Sequence, residues 1–150
     1  MVQYPLVFKV SSQGPSGTAA SWQTSVPFTA ESGQSLTAAI PPEFSGPGGG
    51  YSPEDFYALA LINCFIATFK VIAERSKLEY RNIHASGTLT VDRDDKGAPW
   101  MKHFLLEVAL DGAGDPERAG RLLEKASQSC LILNSVKTEK QFEFRVEGRS

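Results

Sequence analysis

Between Phe56 and Ala73 the chain runs through an apolar stretch whose large polar interruptions are Asn63, Thr68 and Lys70. Just before it stands Ser52-Pro53-Glu54-Asp55, which supplies an N-cap serine, a proline at the first helical position and acids where the helix dipole favours them. The pattern predicts a long helix with apolar residues on nearly every face, one that must be surrounded by protein or by lipid. Lys70 within the stretch, and Glu54, Asp55, Glu74 and Arg75 beside it, argue against a membrane span. A helix of this kind is hard to bury inside 150 residues. A second copy packed around it would solve the problem, so a homodimer is expected.

One domain spanning residues 1–150 is the expectation for a chain of this length. Hydrophobic residues make up 41% and charged residues 21%, as in ordinary globular proteins. A net charge of -2 gives no electrostatic basis for nucleic acid or an anionic membrane as the main partner. Met1-Val2-Gln3-Tyr4-Pro5 leads directly into a strand-like pattern, with no basic segment followed by an apolar one. A cytoplasmic location is therefore expected, and in that reducing compartment two cysteines are buried thiols or redox chemistry rather than a staple.

Around the long helix the pattern is that of strands. Leu6–Val10, Ala20–Val26 and Leu36–Ile40 read as short strands, the first two joined by a turn-rich Ser11–Gly17. Pro41 to Gly50 reads as an ordered loop delivering the chain to the helix. Afterwards Ile83, Ala85, Gly87, Leu89 and Val91 alternate with His84, Ser86, Thr88 and Thr90. A polar turn at Asp92–Gly97 follows, and Phe104, Leu106, Val108 and Leu110 return as the partner strand. Asp115-Pro116-Glu117 opens a second, amphipathic helix with Ala119, Leu122, Leu123, Ala126 and Cys130 on its buried stripe. A last strand alternates Phe142, Phe144 and Val146 with polar residues. The order predicts an α+β fold: antiparallel sheets packed around a long buried central helix, plus the second helix.

The two cysteines, Cys64 and Cys130, are the residues most open to chemistry. Cys64 lies deep in the long helix and Cys130 closes the second one, facing inward. Two distant thiols on helices make either an attacking and resolving pair or two inert core residues. Glu54, ten residues before Cys64, is equally open to two readings. It is a dipole-favoured acid at the second helical position, or a carboxylate that orients a cation against the thiol.

Pro42-Glu43-Phe44, the glycine-rich loop, Ser52-Pro53-Glu54-Asp55-Phe56 and the run closing on Asn63-Cys64-Phe65 resemble the OsmC/Ohr family. The later Ala126-x-x-x-Cys130-x-x-x-Asn134-Ser135 is similar to that family's second-cysteine segment. The resemblance implies a thiol-dependent peroxidase that reduces organic hydroperoxides, built as an intertwined homodimer with sites at the subunit interface. It needs no bound cofactor. It further implies that Cys64 attacks the peroxide, that Cys130 resolves the resulting sulfenic acid as a disulfide, and that a dithiol or lipoylated-protein reductant reopens it. Glu54 would match the family's acidic partner, which holds an arginine against the thiolate. In the family that arginine comes from the N-terminal strand-turn region, whereas no arginine precedes Arg75 here. Lys9, or an arginine such as Arg75 arriving from elsewhere in the dimer, is the candidate replacement.

Other chemistries find little support. Cys64, Cys130, His84 and His103 match no zinc-site spacing, so no metal is expected. Gly48-Gly49-Gly50 lacks the Lys and Ser/Thr of a phosphate loop. The alternative of a different class is a protein that keeps this fold but binds a small apolar ligand at the dimer interface, with little or no peroxide chemistry. The missing arginine favours it, and the two cysteines favour the enzyme.

Overall fold

Helix α1, Pro53–Arg75, begins where the sequence signals place it. Ser52 Oγ accepts from the Asp55 N–H at 3.0 Å, and Asp55 Oδ2 accepts from the Ser52 N–H at 2.9 Å. This reciprocal pair satisfies two backbone donors at the helix start. The computed structural model describes residues 11–13, 19, 22–25 and 35–149. It forms two compact units, Met1–Phe56 and Tyr57–Ser150, with the division falling in the first turn of α1.

The first unit contains an antiparallel sheet of β1 (Ser11–Gln13), β2 (Trp22–Ser25) and β3 (Leu36–Ala38). The expected strand at Leu6–Val10 lies outside the described residues. Ser11–Gln13, expected in a turn, pairs with β2 instead, because backbone ladder bonds can hold residues that lack a strand-like side-chain pattern. The loop after β3 is ordered, as expected. A short 3₁₀ turn at Pro42–Phe44 leads into it, and the Gly46 and Gly48 amides donate to the Pro41 and Ile40 carbonyls. A Cβ at position 46 would stand 2.1 Å from the Ile40 oxygen, so only glycine fits that close approach.

The second unit is a three-stranded sheet covered by the helices. Strand β4 (Asn82–Arg93) pairs antiparallel with β5 (Pro99–Ala113). Helix α2 (Pro116–Ser129) follows, then β6 (Glu139–Gly148). The α+β class holds, but one pairing departs from the all-antiparallel expectation: β6 runs parallel to β5. The cause is α2 itself. It carries the chain back along the sheet as a crossover, so the next strand enters from the same end as β5.

The register explains the alternation read in the sequence. Ile83, Ala85, Gly87 and Leu89 stand opposite Leu110, Val108, Leu106 and Phe104, while His84, Ser86 and Thr90 stand opposite Ala109, Glu107 and His103 on the other face. Against the first face α1 buries Leu61, Phe65, Phe69 and Ala73, and α2 buries Ala119, Leu123 and Ala126. The Phe65 and Phe144 rings stack with centroids 5.6 Å apart. Each large side chain buried in this way contributes about 1.5–3 kcal/mol. Gly87 has no side chain because Phe104 fills the space: an added Cβ would lie 2.3 Å from Phe104 Cζ and 2.9 Å from Ile62 Cγ2.

Within one chain α1 is not buried all round. Its buried residues form a single stripe at four-residue spacing, and Leu59 and Val71 are exposed. By length and composition alone the helix could cross a membrane, yet its stripe is packed into the core of the second unit.

Candidate active site

Helix α1 presents Cys64 one residue before the buried Phe65, at the border of the core, where it is partly exposed. Cys130 is the residue that ends α2, with its backbone already extended at φ -70° and ψ 116°, and it is fully buried. The amphipathic pattern of α2 dictates this: Ala119, Leu123 and Ala126 lie on one stripe, and Cys130 continues it one turn on. The two thiols, 66 positions apart in sequence, meet, and Cys130 hydrogen-bonds to Cys64. The sequence-predicted pair is therefore brought together.

A further donor faces the same sulfur. The Ile132 N–H donates to Cys64 Sγ at 3.5 Å. The Ile132 and Leu133 amides also lie near Cys130, so the backbone just after α2 passes both sulfurs. The neighbouring polar residues of α1 do not compete for them. Asn63 Nδ2 donates to the Leu59 carbonyl and Thr68 Oγ1 to the Cys64 carbonyl, each at 2.8 Å along the helix.

The electrostatic result is asymmetric. Burial pushes the Cys130 thiol up to about 11, helped by the hydrogen bond and the charge of Cys64, with the Leu133 and Ile132 amides opposing. At neutral pH Cys130 is thus a protonated donor. The more exposed Cys64 is the sulfur that can accept two hydrogen bonds and meet a reagent from solvent.

Glu54 does not join the two cysteines on its own chain. Ten residues of continuous helix separate it from Cys64, which is about 15 Å. Its Oε2 is buried with no hydrogen-bond partner among the described residues. Arg75 is exposed at the far end of α1, eleven residues beyond Cys64 and about 16 Å away, so within one chain it cannot serve the thiol. Lys9 lies outside the described residues. His84 and His103 stand on the sheet face turned away from the core that holds the cysteines. Among the described residues no group of three or more His, Cys, Asp or Glu side chains is placed to hold a metal ion.

The chain is an α+β fold with one thiol on the long helix and a second at the end of the following helix, and comparison places it in a family. Residues 46–145 match the OsmC-like protein family. The chain belongs to that family. It is 31% identical over 113 residues to the uncharacterized protein YmaD of Bacillus subtilis (strain 168), covering 72% of this chain and 75% of the relative. Among solved structures it is similar to an OsmC-like protein of unknown function from Vibrio cholerae, with TM-score 0.80, 17% identity, and 93% and 99% of the two chains covered. It is also similar to an organic hydroperoxide resistance protein OsmC from Legionella pneumophila, with TM-score 0.71, 18% identity, and 95% and 99% covered. OhrB, the organic hydroperoxide resistance protein of Bacillus subtilis, matches with TM-score 0.68, 17% identity, and 95% and 98% covered. At these identities the structural matches establish the shared fold.

Two features of the site escape sequence reading. The Ile132 N–H is a backbone group, and no side-chain pattern announces it. Tyr57 and Thr138, whose hydroxyls are 2.5 Å apart, are separated by 81 positions and belong to no motif.

Proposed function

We propose that this protein is a thiol-dependent peroxidase for organic hydroperoxides, and the observation that carries the reading is the contact between a partly exposed Cys64 and a buried, protonated Cys130. The Cys64 thiolate, held by the Ile132 N–H and the Cys130 thiol, attacks the outer peroxide oxygen. The O–O bond breaks, the alkoxide takes a proton and leaves as an alcohol, and Cys64 becomes a sulfenic acid. Cys130 sulfur then attacks Cys64 sulfur. Its proton and the sulfenic hydroxyl leave as water, and a Cys64–Cys130 disulfide forms. A dithiol or lipoylated protein reduces that disulfide by exchange, becoming oxidised itself and restoring both thiols.

Apolar surroundings favour a greasy substrate. Phe65, Ile132 and Leu133 belong to the core at the site, and Leu131, next to Cys130, is 72% exposed. Such a lip suits the organic group of a hydroperoxide better than hydrogen peroxide. The family relationship, and the names carried by the Legionella and Bacillus structures, support the same assignment.

The working form in this reading is a cytoplasmic homodimer. Apolar surface on α1 that one chain leaves uncovered, at Leu59 and Val71, supports the pairing. Glu54, a helix length from its own Cys64, then serves the site of the second copy. Light scattering tests the assembly, and a clean monomer at micromolar concentration would remove the dimer.

Consumption of cumene hydroperoxide with dithiothreitol, comparing wild type with Cys64→Ser, tests the chemistry. Turnover by wild type and none by the variant is expected; equal inactivity of both would end the peroxidase reading. A second reading has its own observation. No arginine precedes Arg75, and Arg75 is out of reach of Cys64 within the chain. A protein that holds a small apolar ligand at the dimer interface would tolerate that loss, and it would then lead.

A further inference from the structure

The resolving cysteine stands on a segment that needs anchoring. After α2 the chain runs from Cys130 through a 3₁₀ turn at Leu133–Ser135 to the start of β6 at Glu139. Exposed Leu131, Asn134, Ser135 and Lys137 alternate with its buried residues. Beyond the Cys130–Cys64 contact, two hydrogen bonds join this segment to α1 among the described residues. One is Ile132 N–H to Cys64 Sγ, at 3.5 Å, a long bond to a weak acceptor. The other is Tyr57 Oη to Thr138 Oγ1, at 2.5 Å, made where Thr138 is 3% exposed. Tyr57 precedes Cys64 by seven residues, two helical turns on the same face of α1. The short bond therefore pins the segment at its far end, while the weak one lies across the sulfurs.

We infer that Tyr57 and Thr138 are positioning residues for the cysteine pair: their hydroxyl contact holds the Cys130–Thr138 segment against α1, and so keeps Cys130 sulfur within reach of Cys64. Neither touches the reacting atoms. They set the effective concentration of one thiol at the other, and hence both the rate of disulfide closure and the stability of the disulfide. The inference rests on the peroxidase reading only for the rate; the equilibrium between dithiol and disulfide is independent of peroxide.

Two measurements on the full-length protein test it. The first equilibrates the protein with reduced and oxidised dithiothreitol and quantifies the Cys64–Cys130 disulfide after acid trapping. The second follows, by mass spectrometry, how Cys64 partitions between disulfide and sulfinic acid after a pulse of cumene hydroperoxide. Tyr57→Phe and Thr138→Val should each lower the disulfide equilibrium constant about fivefold, the scale of one net hydrogen bond. Each should also raise the sulfinic fraction. Thr138→Ser, which keeps the hydroxyl, should match wild type, and Tyr57→Phe/Thr138→Val should lower the constant by no more than either single change, because it loses the same bond and leaves neither hydroxyl unpaired. The double variant orphans no hydroxyl, so it serves if a single one fails to fold. Folded variants with the wild-type constant, even at a lower melting temperature, would overturn the inference, as would a Thr138→Ser that behaves like Thr138→Val. Should wild type consume no peroxide, the peroxidase reading fails while the equilibrium arm still decides this one.

Discussion

Replacing Cys64 with serine should change how Cys130 titrates, and the direction follows from the site. Three influences push the Cys130 thiol up from its ordinary 9.0 to about 11: burial first, then the hydrogen bond to Cys64 and the charge of Cys64. A rise from 9.0 to about 11 cuts the ionised fraction at a given neutral pH by about a hundredfold. Cys64→Ser removes the charge and replaces the sulfur partner, while the burial remains. The Cys130 value should therefore fall part of the way back and stay above 9.0. The assay is iodoacetamide labelling of native protein across pH, with each cysteine quantified separately by peptide mass spectrometry. Burial also slows reagent entry, so the absolute rate is uninformative and the pH at which labelling rises is the observable. In wild type, Cys130 labelling should climb only as pH approaches about 11; in Cys64→Ser the climb should come earlier. An identical profile in the two proteins would refute the reasoning, because it would mean that the thiols do not sense one another. A wild-type Cys130 that titrates like a free thiol would refute the burial as well.

The same thiol gives stability a pH dependence. A group whose folded value is raised keeps its proton in the folded state while the unfolded chain has already lost it, so stability should decline from pH 9.0 to about 11, and less steeply in Cys130→Ser, by urea unfolding at each pH. Burial raises Tyr80 in the same direction and adds to the decline. Gly87→Ala should cost about 1–3 kcal/mol in urea unfolding, because the new methyl overlaps Phe104 and Ile62; a neutral change would mean that the helix and sheet can move apart freely. Leu123→Ala, at a fully buried position on the stripe of α2, should cost about 2–5 kcal/mol, and an unchanged urea midpoint would count against the packing described.

Much of this architecture is legible in the residues because local rules and tertiary demands agree. Ser52, Pro53 and Asp55 announce the start of α1, and Asp115 with Pro116 announces α2, where Asp115 accepts from the Arg118 N–H. The alternation from Ile83 to Leu89 survives as a half-buried face and an open face, and it lapses at the register shift between Thr90 and Val91, where Val91 is exposed. The parallel entry of β6 is not legible, since period-two alternation is the same for either strand direction. Nor is the pairing of Ser11–Gln13, where the backbone supplies the interaction. At the site, the inward placement of both cysteines follows from helical spacing. Their meeting does not, because it depends on how α2 is set against α1. Glu54 is a separate case: the resemblance groups it with Cys64, and the rise of an unbroken helix keeps the two about 15 Å apart on one chain.

In the proposed cycle the geometry favours one division of work between the two cysteines. If Cys130 were to attack, its thiolate would have to form inside the core, where burial and the charge of Cys64 both oppose it. Cys64 stands at the core border, with the Ile132 amide and the Cys130 thiol both donating to it, so negative charge there is met by hydrogen bonds. In that cycle, oxidation of a Cys64 thiolate to a neutral sulfenic acid removes one of the influences that raise the Cys130 thiol, while burial remains. The first step of the proposed cycle thus lowers the barrier to the second. A chain with its cysteines exchanged between border and core would have a nucleophile it could not ionise and a resolving thiol open to over-oxidation. In this reading the division of labour follows from where α1 and α2 stop burying their side chains.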